Sequence, residues 1–224
     1  MAVTAVVRSR LKELKETFRP AIYDVFSRRP MRDVICWRFN QRDAPQHVSL
    51  TYDDGPHPEY TPQVLDALAA GSARATFFVL GSHIEKWPDL FKRTVDEGHD
   101  IGIHGYVHNN EAMGEQTERT MAIVKEFGVT PRIVRPPYGY LHVSTGLWMV
   151  RNRFTTVMWS FDCLDSMRHE GKVPERHSLD QIQPGDIVLL HDDNPVCVQD
   201  TIEIVELLRR RNLQTRVVSE MLRG

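Results

Sequence analysis

The chain has 224 residues, of which 41% are hydrophobic and 26% charged, and its formal net charge is −2. That size and balance fit one globular domain, within the range that α/β barrels reach as single units, and bulk charge gives no reason to expect nucleic acid. Three widely spaced cysteines, Cys36, Cys163 and Cys197, include no C-x-x-C pair, which argues against a disulfide framework or a thiolate zinc site and for a reducing compartment.

Residues 1–45 hold ten Lys/Arg against five Asp/Glu, so the remaining residues 46–224 are net acidic. Within this basic segment Val7, Leu11, Leu14, Phe18, Ile22 and Val25 recur at helical spacing, with Pro20 as a break. Two readings remain open: a helix packed on the domain with its basic face in water, or a helix lying on an anionic membrane surface or a partner. The N-terminus lacks the uninterrupted apolar core of a signal peptide, and no stretch has the length of a membrane span, so the expected location is cytoplasmic, with peripheral membrane contact through the basic segment.

From residue 46 strands and helices alternate. HVSLTY (47–52) predicts a buried strand ending at Asp53 and Asp54. Residues 61–71 predict a helix with Thr61 as cap, Pro62 in its first turn and Gly71 at its end. ATFFVL (75–80) is aromatic and β-branched, hence a strand. A helix over 86–97, a strand over 99–104, a helix over 114–127 and a short strand over 132–135 follow. Residues 141–151 predict a helix, FTTVMWSF (154–161) a strand, DIVLLH (186–191) a strand, 198–211 a helix and TRVVS (215–219) a last strand. Such alternation implies a parallel sheet, and about seven units in one domain suggest a barrel, whose active face lies at the strand C-termini. The residues with chemistry sit there: Asp53, Asp54, His104, Arg135, Asp162 and His191.

Asp54, His104 and His108 form a carboxylate and two-imidazole set, which suits a divalent metal, zinc first, and leaves a position open. Two adjacent carboxylates are costly unless neutralised, so a metal on Asp54 and a cation beside Asp53 would resolve the conflict. Arg135 is the candidate cation. The two prolines after it stiffen the loop that carries the Tyr138 N–H, a candidate oxyanion donor, although PPYG taken alone is also an ordinary turn. His191, closing IVLLH, is a candidate general acid or a histidine that merely ends a strand.

In this order the pieces resemble the NodB-homology polysaccharide deacetylases, carbohydrate esterase family four, over roughly residues 46–220. The five motifs stand as Thr51–Pro56 (TYDDGP), His104–His108 (HGYVH), Arg135–Gly139 (RPPYG), Asp162–Ser166 (DCLDS) and Leu189–His191 (LLH). The resemblance implies a deformed (β/α)7 barrel in residues 46–224. It implies that Asp54, His104 and His108 hold a divalent metal, usually zinc, with Co2+, Ni2+ or Mn2+ as substitutes. Asp53 would be the base, His191 the acid, Arg135 the residue that orients Asp53, Asp165 the partner of His191 and Tyr138 the oxyanion donor. Leu189 and Pro137 would line the substrate pocket. The implied reaction removes an N-acetyl group from an oligosaccharide or a lipid- or nucleotide-linked amino sugar.

Gly105 stands where the family has a hydroxyl residue, which predicts a looser metal loop, and Ser166 stands where it has a groove tryptophan, which predicts a substrate other than a long polymer. Other readings are a deformylase on a lipid-linked amino sugar, a sugar-binding module on a decayed scaffold, and a non-haem iron oxygenase, which would leave Asp53 and His191 without a role. A zinc protease of the H-E-x-x-H type fails at Gly105.

Overall fold

A computed structural model describes residues 31–223. The apolar positions Val7 to Val25 of the basic segment lie outside the described residues. Strand β1 (Ile35–Cys36) comes from within that segment, and β2 (His47–Asp53) follows it. Then come helix α1 (Tyr60–Ala70), β3 (Thr76–Val79), α2 (Gly81–Lys86), α3 (Pro88–Asp96), β4 (Asp100–Ile103) and α4 (Met113–Lys125). The second half runs β5 (Ile133–Val134), α5 (Val143–Arg151), β6 (Thr155–Val157), β7 (Phe161–Asp162), α6 (Asp165–His169), β8 (Ile187–His191), α7 (Pro195–Arg210), β9 (Gln214–Thr215) and α8 (Val218–Arg223).

All pairings in the sheet are parallel, in the order β1-β6-β5-β4-β3-β2-β8-β7, with β9 added beside the start of β2. The path ends at β1 and β7, so the barrel is deformed and open along that seam. The strand pleat sorts side chains by parity. Val48, Leu50 and Tyr52 of β2, Phe77 and Val79 of β3, and Val188 and Leu190 of β8 share one apolar cluster with Leu65, Leu68, Ile204 and Leu208 of the helices. Phe78 of β3, Val157 of β6, Ile187 of β8 and Cys36 of β1 form a second cluster with Val218 and Met221, which fills the barrel interior. All three cysteines are free and buried.

Several expected elements are altered by tertiary contacts. Thr61 does not cap α1, which starts at Tyr60 with Glu59 as its N-cap. The Thr61 hydroxyl instead accepts from the His57 N–H and donates to the Asp192 carboxylate. The helix expected over 86–97 is α3, which Pro88 opens and which ends at Asp96, while the segment before it forms a separate short helix, α2, that Pro88 cannot continue. The strand over 154–161 ends at Val157, since the carbonyls of Val157 and Met158 accept from the buried Arg135 side chain, and it resumes as β7 beside β8. Helix α7 begins at Pro195, capped by the Asn194 side chain on the Cys197 N–H. The strand over 215–219 is confined to β9. Val218 and Ser219 instead open α8, their N–H groups donating to Thr76 Oγ1 and Asp100 Oδ2, and α8 plugs the barrel at the strands' N-terminal ends.

Candidate active site

The register of the central strands sets the site. Thr51 pairs with Leu189 and Asp53 with His191 across β2 and β8, so these four lie on the same, inward parity at the C-terminal edge. His104 and Arg135 each follow immediately after their strands, β4 and β5, at the same end of the barrel. Asp54 takes a left-handed φ of 76°, a conformation that Asp tolerates, and this turns its carboxylate away from the strand line.

Asp54 Oδ1 is buried with no hydrogen-bond partner, and it lies 3.4 Å from His104 Nε2 and 3.5 Å from His108 Nε2. The three ligand atoms all fall within 4.8 Å of one another. His104 Nδ1–H donates to the Arg135 carbonyl at 2.8 Å, which fixes the ring and leaves Nε2 with its lone pair facing Asp54. Burial holds the His104 pKa down, to about 4, and lowers that of His108. Both imidazoles are therefore neutral at pH 7, as metal ligands must be. Burial, with the neighbouring acids Asp53, Asp193 and Asp192, raises the Asp54 pKa to about 8. An orphaned buried carboxylate oxygen facing two neutral imidazole nitrogens fits a divalent cation.

Asp53 is held apart from this trio by Arg135. The guanidinium is fully buried and donates from Nη1 to Asp53 Oδ1 at 2.7 Å and to Thr51 Oγ1 at 2.9 Å. Its Nε and Nη2 reach the carbonyls of Val157 and Met158, and its plane lies 4.1 Å from the Phe78 ring centroid. Burial alone would make such a charge expensive, and these bonds and the carboxylate offset that cost. Asp53 therefore keeps one oxygen committed to Arg135 and the other, Oδ2, 3.8 Å from His104 Nε2.

His191 Nδ1–H donates to Asp165 Oδ1 at 3.0 Å. Asp165 is fully buried, and its Oδ2 also accepts from the His191 N–H and from Asn194 Nδ2. Burial opposes a charge on His191, but the bond to Asp165 and the charges of Asp165, Asp53 and Asp54 raise its pKa to about 10. Burial would raise the Asp165 pKa, yet the His191 and Asn194 bonds hold it below the usual carboxylate value. The imidazolium is thus a stored proton with Nε2 free to deliver it. Tyr138 sits at φ 58°, and its N–H has no backbone partner among the described residues. Its ring packs edge-on against His108, 4.4 Å between centroids. Leu189 and Pro137 are buried beside these groups, and the Pro137 carbonyl accepts from Asn110 Nδ2.

The metal loop at Gly105, expected to be looser, draws its supports from outside its own residues. Gly105 has φ 110°, closed to side chains in ordinary circumstances, and the loop is braced from α4. Gln116 Oε1 accepts from the N–H groups of Tyr106 and Val107, both at 2.9 Å, its Nε2 donates to Asn109 Oδ1 and the Glu111 carbonyl, and Thr120 Oγ1 donates to the Gly105 carbonyl. Sequence reasoning missed Gln116, which carries no local signal. It also missed His83, whose Nδ1–H donates to the Asp54 carbonyl, and Asp192, whose carboxylate lies over Gly55 so closely that a Cβ there would meet Oδ2 at 2.2 Å. Asn194 could have been found, since Asn-Pro before an apolar-periodic run is a helix-start signal.

A carboxylate and two imidazoles at a strand-end mouth, with a second carboxylate and a charged His–Asp pair facing them, make the layout of a metal-assisted hydrolase on an α/β barrel. The polysaccharide deacetylase family model matches residues 40–156, and the chain belongs to that family, whose members are metal-dependent. It is 34% identical over 166 residues to a peptidoglycan-N-acetylglucosamine deacetylase of Bacillus cereus, an alignment covering 71% of this chain and 60% of that protein. A chitooligosaccharide deacetylase of a Bradyrhizobium strain is 35% identical over 66% of this chain and 71% of its own length. The solved structure of the peptidoglycan deacetylase PdaC from Bacillus subtilis superposes with a TM-score of 0.71 at 30% identity, covering 80% of this chain and 90% of that one.

Proposed function

We propose that the protein is a metal-dependent deacetylase that hydrolyses the N-acetyl group of an amino-sugar compound, an oligosaccharide or a lipid- or nucleotide-linked sugar, releasing acetate and the free amine. The observation that carries this reading is the arrangement of Asp53 and His191, level with each other on neighbouring strands, at the strand end where the Asp54 oxygen stands unpaired. The named activities of the relatives, on peptidoglycan N-acetylglucosamine and on chitooligosaccharides, support an N-acetylated amino sugar as the substrate class.

Asp54, His104 and His108 would hold the cation, and their one-carboxylate, two-imidazole chemistry favours zinc. When bound, the cation supplies Lewis-acid activation of water near neutral pH and of the amide carbonyl. Asp53, oriented by its bond to Arg135, accepts the proton that the attacking water loses. The Tyr138 N–H donates to the carbonyl oxygen as it gains negative charge. His191 passes its Nε2 proton to the departing nitrogen, and Asp165 holds the ring in the orientation that points Nε2 inward. Leu189 and Pro137 wall the space for the acetyl methyl. Acetate release from N-acetylglucosamine oligomers by the zinc-loaded protein tests the reading. Asp53→Asn removes the base and is expected to lower kcat by a factor of about 10^2 to 10^4 with bound metal unchanged. Undiminished release by that variant refutes the assignment.

A further inference from the structure

Helix α5 presents an apolar stripe to solvent. Val143, Leu147 and Val150 stand at i, i+4 and i+7, one face of the helix, with Val143 80% and Leu147 67% exposed. The stripe continues into Tyr140 and Tyr138, both exposed, and Tyr138 touches the His108 ring at the mouth of the site. Scattered apolar residues on a surface need no explanation, but a contiguous stripe beside a mouth does.

Along the chain, the charge around the stripe is of one sign. Residues 127–161 contain no Asp or Glu, and Arg132, Arg151 and Arg153 are exposed. None of the three arginines forms an ion pair among the described residues. Glu115, at the start of α4, shares a groove with Ser144 and Trp148, on the neighbouring side of α5 and not on the stripe. Exposed aliphatic side chains, two tyrosines with an apolar body and a polar tip, and unpaired arginines alongside are the chemistry of an interfacial helix on anionic lipid.

We propose that the face formed by Tyr138, Tyr140, Val143, Leu147 and Val150, flanked by Arg151 and Arg153, docks on the surface of an anionic lipid bilayer. Docked so, the mouth opens toward the headgroup layer, where an amino sugar carried on a lipid would be presented. Only this orientation rests on the deacetylase reading. Vesicle binding needs no turnover, so the failure of one reading leaves the other standing.

The test is co-sedimentation of the full chain with phosphatidylcholine vesicles, with and without phosphatidylglycerol. The wild type is expected to bind, and to bind better with phosphatidylglycerol. Val143→Ser with Leu147→Ser is expected to weaken partition by about tenfold or more. Arg151→Glu with Arg153→Glu is expected to abolish the gain from phosphatidylglycerol. Unchanged binding by both variants, carried then by residues 1–30, overturns the proposal. So does a wild type that ignores vesicles but elutes as a dimer that the Val143/Leu147 variant makes monomeric, which would assign the face to a second copy of the chain.

Discussion

Gln116 is a sensitive point of the metal loop, although it touches none of the three ligands. Gln116→Ala removes the single acceptor, Oε1, that the Tyr106 and Val107 N–H groups share, and the Nε2 donor to Asn109 and Glu111. A hydrogen bond contributes about 1 kcal/mol net, and this half-buried loop lets water replace part of each. The loss is then about 2 kcal/mol for the set, borne by the segment that carries His108 into range of Asp54. Released from its brace, the loop must be ordered by the metal itself, so the apparent metal Kd is expected to rise about 30-fold. Competition with a chromophoric chelator measures that change. Thermal denaturation in excess chelator separates it from global destabilisation, since a loop that opens without unfolding the barrel leaves the metal-free Tm nearly in place. A variant that holds metal as tightly as the wild type refutes the bracing role.

His99 is buried and neutral, its pKa pushed down to about 4 chiefly by burial, and its Nδ1 accepts from the Ala75 N–H. Because the unfolded histidine takes up a proton near pH 6.5 and the folded one does not, stability is full above that pH. It falls as pH drops from 6.5 to 4, by about 3 kcal/mol. Denaturant titrations in chelator should show His99→Asn losing less stability over that window than the wild type, with His104 titrating equally in both, and equal losses count against the assignment. Asp165→Asn removes the charge that raises the His191 pKa to about 10. The alkaline limb of kcat/KM for acetate release, where the acid must stay protonated, is expected to move to lower pH, and a limb that stays in place removes His191 as the acid.

The groups that meet the substrate were legible in the sequence because each closes an apolar strand. Asp53 after HVSLTY, His104 after HDIGI and His191 after IVLL are placed at one end of a parallel sheet by strand periodicity alone, and register then makes Asp53 and His191 neighbours. Arg135 and Asp165 apart, their supports were not legible. Gln116 reads as one polar position on an amphipathic helix, and Thr61 as a helix cap, because their partners lie across tertiary contacts that no local pattern encodes. The β-branched Val217 and Val218 suggested a strand, but burial at the barrel's closed end and the side-chain acceptors Thr76 and Asp100 made them open a helix.

Arg135 joins both halves of this contrast. As a cation after a strand it was a visible candidate for Asp53, but its complete burial could not be read from RPPYG. A buried guanidinium must place all its donors, and Arg135 places two of them on the carbonyls of Val157 and Met158. Those carbonyls are then lost to the ladder, which is why FTTVMWSF breaks into β6 and β7. The unexpected break in the strand and the fixed orientation of Asp53 have the same cause. A substitution that shortens residue 135 should therefore disturb the β6–β7 segment together with the base, whereas one that removes only the Asp53 charge should leave the break where it is.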